Sequence, residues 1–371
     1  MRNTLLCLSF LLLSDAALPA GLNDHFDGNA LDTTEWTTQE ILSRQMKFIT
    51  PGRCGGSAID VVVREGDNGD ECEDDCQRAE LRTAKSTWPR FGDEVWYRFS
   101  FRISGDVPST GSARSVIGQW KGPGDGSPMI AQRFDNGVFY ITVQDNEVRR
   151  VVAKAEGDPD ALVAAQDGLG RLDRTDEKTI DGIRSLQSLD LLSRTQPRVA
   201  QEYFKPDLLV TLASRAPASQ SEKLSTSLGL ADRDIVSRFY ALCFIAEPDK
   251  YLGKASIAIE PIENRPLPDP RKGWVDMVYR IKPGRTDNEY GPRNPGEIDI
   301  WANGLKIVSV RGNIGTTLRR SAPLPLEGPY FKFGAYRLRV PGTFHFAFDE
   351  FSQSSTSAGL APLCASEEPR N

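Results

Sequence analysis

Polar side chains at alternate positions of two short segments could bind carboxylate groups. The segment CQRAELRT carries Arg78, Glu80 and Arg82 two residues apart, so on a β-strand all three would face the same side. In IGQWKG, Gln119 and Lys121 share a face in the same way. Guanidinium, ammonium and amide groups all donate hydrogen bonds to carboxylates, and arginine can donate two in parallel. The pattern predicts a shallow cationic surface suited to a polymer that bears carboxylates.

A third segment, PYFKFGAYRLR, adds tyrosines and another lysine to this set. Strict alternation places Tyr330, Lys332 and Gly334 on one face, and Tyr336 continues that face if no bulge intervenes. Arg337, the next residue, is counted with Arg78, Glu80 and Lys332 among the predicted substrate-binding residues. A tyrosine hydroxyl ordinarily loses its proton at about pH 10. A role for Tyr336 in proton transfer therefore requires cations beside it.

The same patterns have ordinary structural interpretations. Arg78, Glu80 and Arg82 could form a charge ladder on a solvated sheet face. Tyr336 could be a packing tyrosine whose hydroxyl is hydrogen-bonded inside the protein. Lys332 alone would mean little.

The elements that must position these residues are predicted to be β-strands. Residues 21–147 and 255–352 contain short alternating stretches separated by Gly, Pro, Asp and Asn, which is typical of antiparallel strands. Asn303–Gly304 lies between two such stretches and predicts a type I′ hairpin turn. Residues 148–245 instead have apolar side chains at helical spacing, which predicts a mainly helical insertion. We expect an all-β fold in which a single sandwich is completed late in the chain.

Both ends of the chain are predicted to lie outside this domain, which we place at residues 21–352. Residues 1–20 have an early arginine, an apolar run over Leu5–Leu13 and small residues from Ala16 to Ala20. That layout is typical of a secretory signal peptide, so we expect a secreted or periplasmic protein without a membrane span. Residues 353–371 are rich in Ser, Ala and Pro and are predicted to form a flexible tail.

Removal of the signal would also remove Cys7 and leave five cysteines, which are Cys54, Cys72, Cys76, Cys243 and Cys364. In an oxidising compartment these could form up to two disulfides, with the pairing left open. A zinc site is disfavoured, because four ligands are usual and the sequence has only two histidines. The acidic loop at residues 65–75 could bind a structural calcium ion. It lacks regular EF-hand spacing, so a solvated loop stapled by a disulfide is the favoured interpretation.

The overall charge limits which classes of binding partner are expected. The formal net charge is −6 and the isoelectric point is about 5.3, which argues against a general nucleic-acid binder. A local basic groove can still bind a polyanion despite a modest negative net charge. We expect an acidic polysaccharide as partner, a monomeric protein and no certain cofactor.

The three segments together resemble the jelly-roll polysaccharide lyases, specifically the heparin lyase I-like group with its alginate lyase and glucuronan lyase cousins. That superfamily has an Arg-x-Glu-Leu/Val-Arg strand, a Gln-x-His strand and a Tyr-Phe-Lys-x-Gly-x-Tyr strand, in the order found here. The third match, Tyr330 to Tyr336, is nearly complete. HFDGNALDTTEW, GWVDMVYRIKPG and GEIDIWANG are supporting similarities. The resemblance covers about 25–147 and 255–352, and it implies a concanavalin-like β-jelly-roll sandwich.

The resemblance also implies a reaction, the β-elimination of a polysaccharide at a uronic acid. Arg82, Arg78 and Gln119 would bind the C5 carboxylate and so acidify the neighbouring C–H group. Tyr336 would protonate the departing glycosidic oxygen, and in one version would also take the C5 proton. Glu80 would orient the arginines, and Lys332 would line the cleft.

One position departs from the family pattern. Where the Gln-x-His motif has its histidine, this chain has Lys121. Either Lys121 substitutes, as a carboxylate neutraliser or as the base, or the protein has lost activity and is a carbohydrate-binding jelly roll. Neither His25 nor His345 fills the gap convincingly.

The hairpin segment GEIDIWANG offers a rival catalytic pair, Glu297 and Asp299. Sandwich glycoside hydrolases are similar in a Glu-x-Asp-x-x-Glu strand, in which two carboxylates share the catalysis. Here the third position is Ala302. A retaining hydrolase would lack its acid/base, so we predict a scaffold hairpin with Ile298 and Ile300 on its buried face.

Overall fold

The computed structural model describes most of the two predicted β regions. The described residues are 21–39, 41–67, 76–89, 93–110, 113, 115–122, 128–145, 148–157, 159, 257–262, 265–283, 295–312, 314 and 329–364. The predicted signal peptide and most of the predicted helical insertion lie outside this set, and so does most of the acidic loop.

One sheet has nine strands. Its members in chain order are β1 (Leu22–Asp24), β3 (Met46–Ile49), β4 (Ala58–Val63), β6 (Val95–Gly105), β11 (Ile257–Pro261), β12 (Val275–Lys282), β13 (Gly296–Ala302), β14 (Leu305–Gly312) and β16 (Phe344–Ser354). Across the sheet the order is β11-β14-β13-β12-β6-β16-β4-β3, with β1 paired to the C-terminal part of β16.

The second sheet has seven strands, which are β2 (Trp36–Gln39), β5 (Cys76–Thr83), β7 (Ser115–Lys121), β8 (Ile130–Asp135), β9 (Val138–Asp145), β10 (Val148–Lys154) and β15 (Tyr330–Leu338). Their order across the sheet is β10-β9-β8-β7-β15-β5-β2. All the pairings in both sheets are antiparallel. The late strand β15 therefore lies between two early strands, β5 and β7.

Aromatic side chains join the two sheets into a sandwich. Phe99 of the nine-stranded sheet packs against Phe331 of the seven-stranded sheet, with ring centroids 5.1 Å apart. Trp120 and Tyr279 approach to 4.3 Å in the same way. Aromatic rings remove large apolar areas from water, so these contacts dominate the core. The predicted all-β sandwich is confirmed.

The predicted start of the helical insertion, residue 148, is wrong. Residues 148–154 form β10, which pairs with β9 through a bulge between Val151 and Ala153. Within the described ranges the only helical elements are single 3₁₀ turns, at Ser43–Gln45, Lys85–Thr87 and Ser357–Gly359. No helix among these residues is long and apolar enough to cross a membrane.

The C-terminal segment is anchored, which corrects the predicted flexible tail as far as residue 364. Cys54 and Cys364 form a disulfide with their Cα atoms 5.2 Å apart. The backbone N–H of Cys364 also donates to a carboxylate oxygen of Glu350, at 3.1 Å. Cys76 is disulfide-bonded as well. The composition of the tail predicted flexibility, but the disulfide holds the segment against the sandwich whatever its composition.

The hairpin that carries Glu297 and Asp299 is a scaffold. Both carboxylates accept a hydrogen bond from the same Arg280 nitrogen, each at 3.0 Å, on the outer face of the nine-stranded sheet. Their neighbours Ile298 and Ile300 are buried. The turn residues Asn303 and Gly304 have φ values of 48° and 76°, as a type I′ turn requires.

Candidate functional site

The predicted site residues come together on the outer face of the seven-stranded sheet. Strands β5, β15 and β7 are neighbours there, and Lys332 in the middle strand lies opposite both Arg82 and Gln119. Two positions further along, Gly334 lies opposite Glu80. The polar side chains that alternate along these three strands thus form one surface, because the strand register places the three segments side by side.

Glu80 is the centre of this surface. Its carboxylate accepts a hydrogen bond from the side-chain amide of Gln119. The other carboxylate oxygen lies 3.4 Å from Arg78 Nε and 3.7 Å from Lys332 Nζ. Glu80, Gln119 and Lys332 are all almost completely buried. A carboxylate at such a position requires charged or hydrogen-bonding partners, and Glu80 holds two cations and one amide in fixed positions.

The electrostatics of Lys332 follow from this burial. Removal from water lowers the pKa of Lys332, and the positive charges of Arg78, Lys121 and Arg82 lower it further. Glu80 acts in the opposite direction and raises it. Lys332 is therefore easier to deprotonate than an ordinary lysine.

Tyr336 lies beside Arg78. The two residues are opposite each other across β15 and β5, and the guanidinium carbon is 4.5 Å from the ring centroid. The bulge that could have displaced Tyr336 does occur, between Phe333 and Tyr336, but on the side that faces β7. The pairing with β5 is regular, so Tyr336 shares the face of Glu80 and Lys332. The close packing depends on Gly334, whose φ is 134° and where a Cβ atom would collide with the Ala79 carbonyl oxygen.

Lys121 lies toward the other end of the surface. It pairs with Tyr330, whereas Tyr336 pairs with Val116. Five positions of β7 separate these pairs, which is about 16 Å of strand. Lys332 lies between them, opposite Gln119. Lys121 and Tyr336 can therefore act on the same sugar only if their side chains lean toward each other along the sheet.

Two aromatic residues lie beside Arg82, at the end of the polar surface that carries Lys121. Trp88 stacks on Tyr330 with ring centroids 4.5 Å apart and an interplanar angle of 25°. The Arg82 guanidinium carbon is 5.7 Å from the Trp88 ring and 5.6 Å from the Tyr330 ring. Burial raises the pKa of the Tyr330 hydroxyl, and the charge of Arg82 partly offsets this. Arg82 Nε also donates to Thr37 Oγ1 at 3.3 Å.

Sequence reasoning missed Trp88 and Thr37. Trp88 follows the 3₁₀ turn at Lys85–Thr87, outside any alternating stretch. Thr37 belongs to the short edge strand β2, and it reaches the site only because β2 pairs with β5. No periodic signal in the sequence points to either residue. Tyr330 was placed on the correct face by alternation but without a role.

Arg337 does not belong to the site, which corrects its prediction as a substrate-binding residue. It is fully buried on the opposite side of β15. Its Nε donates to Gln77 Oε1 at 2.7 Å, and its guanidinium carbon is 3.9 Å from the Phe344 ring centroid. Burial lowers the pKa of Arg337 to about 10. Alternation alone would have excluded Arg337, because its neighbour Tyr336 faces the site.

The two histidines are also elsewhere. His345 Nδ1 is 2.8 Å from an Asp60 carboxylate oxygen, on strands of the nine-stranded sheet. His25 Nδ1 is 3.0 Å from Glu350. Neither replaces the histidine that the family motif has at Lys121. Over the described parts of the chain, no cluster of three or more His, Cys, Asp or Glu side chains is suited to a metal ion.

Comparison with models of known protein families gives a match to part of the chain. A family model described as polysaccharide lyase matches residues 28–188. The matched segment contains the Arg78–Arg82 and Gln119–Lys121 motifs but not β15. Comparison with curated proteins gives no significant match.

Several solved structures are similar to this chain at low sequence identity. Cellulose induced protein Cip1 is 12% identical over 90% of this chain and 97% of its own, with a TM-score of 0.39. Alginate lyase A1-II′ is 12% identical over 87% of this chain and 95% of its own, with a TM-score of 0.40. Alginate lyase AlgAT5, of polysaccharide lyase family 7, is 10% identical over 86% and 94%, with a TM-score of 0.36. No conclusion about substrate follows from likenesses of this strength.

Proposed function

We propose that the protein is a polysaccharide lyase that cleaves a uronic-acid-containing polysaccharide by β-elimination. One observation carries the proposal. Glu80 gathers Arg78, Lys332 and Gln119 on a single sheet face, and Tyr336 lies directly beside Arg78. The match of residues 28–188 to the polysaccharide lyase model supports the same class.

The proposed reaction uses these groups in order. Arginine and the Gln119 amide bind the C5 carboxylate and stabilise the negative charge that develops there when the C5 proton leaves. A base takes that proton, and the C5–H electron pair forms the C4–C5 double bond. The C4–O bond breaks at the same time, and Tyr336 donates a proton to the departing glycosidic oxygen. No water is consumed, so the product retains an unsaturated sugar.

The base is Tyr336 itself or a lysine. Lys121 occupies the family's histidine position. Lys332 lies nearer to Tyr336 along β15, and burial lowers the pKa of Lys332. A neutral lysine can accept a proton, and the lowered pKa of Lys332 favours its neutral form.

The test is a panel of uronic-acid polymers, including alginate, glucuronan and a heparinoid, followed by the ultraviolet absorbance of unsaturated ends. We expect activity on at least one polymer, and we expect Tyr336→Phe to reduce it by roughly a hundredfold or more. Tyr97→Phe is the matched control, because Tyr97 is buried in the core. Full activity in both Tyr336→Phe and Lys121→Ala would contradict the site assignment.

The replacement of the motif histidine by Lys121 favours a second candidate, a carbohydrate-binding jelly roll without catalysis. Binding of uronic-acid polymers with no unsaturated product would support that function instead. New reducing ends without absorbance would indicate a glycoside hydrolase. We further propose a secreted or periplasmic location, based on the signal-like residues 1–20.

A further inference from the structure

We infer that the core beside Arg337, at one end of the sandwich, binds a small monovalent anion such as chloride. The anion accepts a hydrogen bond from the Arg337 guanidinium and balances its charge, which no carboxylate of the described residues does through an ion pair. The inference does not depend on the proposed function, because Arg337 lies on the buried face of β15 and the polar surface lies on the other face.

Two adjoining side chains have buried donors without an acceptor. The Nε of Arg337 donates to Gln77 Oε1 at 2.7 Å, and its Nη2 donates to the carbonyl oxygen of Gly342 at 2.9 Å. Arg337 Nη1 and Gln77 Nε2 are also buried, and no described residue accepts a hydrogen bond from either nitrogen. Arg337 and Gln77 are both 0% exposed. A buried N–H group without an acceptor is costly, so an acceptor is expected at this position.

The positive charge of Arg337 is not neutralised in this part of the fold. Burial lowers the pKa of Arg337 to about 10, so the guanidinium still carries its proton at neutral pH. The charges of Asp67 and Glu65 oppose this lowering. The Asp67 carboxylate lies 2.6 Å from Arg44 and 3.9 Å from Arg64, so two other arginines already share its charge. Glu65 is exposed, where salt and water screen its charge. A buried charge requires a close partner, and the described residues leave Arg337 without one.

The surroundings of Arg337 favour a small ion with a single charge. The guanidinium carbon is 3.9 Å from the ring centroid of Phe344, so an aromatic ring covers one face of the guanidinium. An acceptor for Nη1 therefore lies near the guanidinium plane, where the N–H bonds point. Water can accept that hydrogen bond but brings no negative charge. A divalent anion such as sulfate would bury one negative charge in excess, at a further cost. A small monovalent anion meets both requirements.

Urea denaturation of the full chain, followed by circular dichroism, tests the inference. The protein is unfolded at a fixed ionic strength while sodium chloride replaces sodium gluconate, whose anion is too large for a buried site. We expect the urea midpoint to rise with the chloride concentration. Once the site is saturated, each tenfold increase in chloride should raise the folding equilibrium constant by close to tenfold, because chloride binds only the folded state.

Two variants show whether the effect belongs to Arg337. Gln77→Glu places a carboxylate where the amide oxygen now faces Arg337 Nε, so the guanidinium gains a charged partner within the chain. We expect this variant to fold and to lose most of the chloride dependence. Arg102→Gln is the matched control, because the Arg102 guanidinium carbon lies 4.9 Å from the Trp274 ring centroid on the nine-stranded sheet. This control should respond to chloride as the wild type does.

A wild-type crystal soaked in sodium bromide gives a second readout, since the anomalous scattering of bromide locates the anion directly. A bromide peak beside Arg337 Nη1 is the expected result, and it decides the question even if a variant does not fold. The inference is refuted if chloride and gluconate stabilise the protein equally, if Gln77→Glu retains the full chloride response, or if no bromide lies at Arg337. Lyase assays bear on none of these outcomes, so failure of the proposed function and failure of the anion site are separate results.

Discussion

Neutralising Glu80 tests whether this carboxylate holds the site together. In Glu80→Gln the new amide oxygen can still accept the hydrogen bond from Gln119. It can no longer balance Lys332 at 3.7 Å or Arg78 at 3.4 Å. At an effective dielectric constant of about 20, each charge pair at such distances attracts by roughly 4 kcal/mol before desolvation is counted. Removing one partner of a buried pair typically costs about 3–5 kcal/mol, so we expect a loss of about 3 kcal/mol in the free energy of unfolding at neutral pH.

The loss should shrink as the pH rises. The pKa of Lys332 is lowered in the folded protein, so between that pKa and the ordinary lysine value the unfolded chain binds more protons and stability increases with pH. Glu80 opposes this lowering. Removing the charge of Glu80 lowers the pKa of Lys332 further, so the free energy of unfolding of the variant begins to rise with pH at a lower pH than that of the wild type. Lys332 then becomes neutral earlier in the variant, and the difference from the wild type decreases.

Urea denaturation followed by circular dichroism, at neutral and at alkaline pH, measures both effects. The matched control is Glu297→Gln on the other sheet, where Arg280 retains Asp299 and Glu94 as partners. Because those partners remain and the group is partly exposed, the control should cost at most about 1 kcal/mol. If Glu80→Gln cost no more than the control, or if its cost grew with pH, Glu80 would not be the electrostatic centre of the site.

Two further changes probe residues away from the site. Arg337→Ala removes the buried hydrogen bond to Gln77 and the contact with Phe344. Thermal unfolding should therefore show that the free energy of unfolding falls by about 3 kcal/mol or more, whereas the polysaccharide affinity measured by calorimetry should be unchanged. A loss of affinity without a loss of stability would show that Arg337 does belong to the site. Cys364→Ser removes the disulfide to Cys54 and should lower the free energy of unfolding, measured by urea denaturation, by about 2–5 kcal/mol. An unchanged urea midpoint would show that the disulfide does not stabilise the C-terminal segment.

Alternation predicted which of the candidate site residues share a sheet face, because the side chains of a β-strand alternate strictly between its two faces. Arg78, Glu80 and Arg82 had to share a face once CQRAELRT formed a strand, and the same holds for Gln119 with Lys121. The type I′ turn at Asn303–Gly304 was also predictable, since few dipeptides tolerate positive φ at both positions. Local rules of this kind need no knowledge of the rest of the chain.

Other features depend on contacts that no local pattern encodes. The stack of Trp88 on Tyr330 joins a turn to a strand more than two hundred residues later. The link between Cys54 and Cys364 spans a sequence separation of 310. Composition suggested a flexible tail at the same position. Sequence reasoning therefore predicted which side chains share one sheet face at the candidate site. It did not predict the aromatic residues beside them or the disulfide that holds the C-terminal segment.

The order of the strands has a consequence for how the protein reaches its active form. β15 supplies Lys332 and Tyr336 and lies between β5 and β7, while β16 lies between β6 and β4 in the other sheet. Until β15 has been synthesised the seven-stranded sheet is divided into two parts, and until β16 follows the nine-stranded sheet is divided into two parts and an unpaired β1, all with open edges. Pairings across such long separations close slowly, and exposed strand edges invite aggregation. A nascent chain that stops before residue 330 would therefore carry every early motif and still have no site, so function should arise in a single late step of folding.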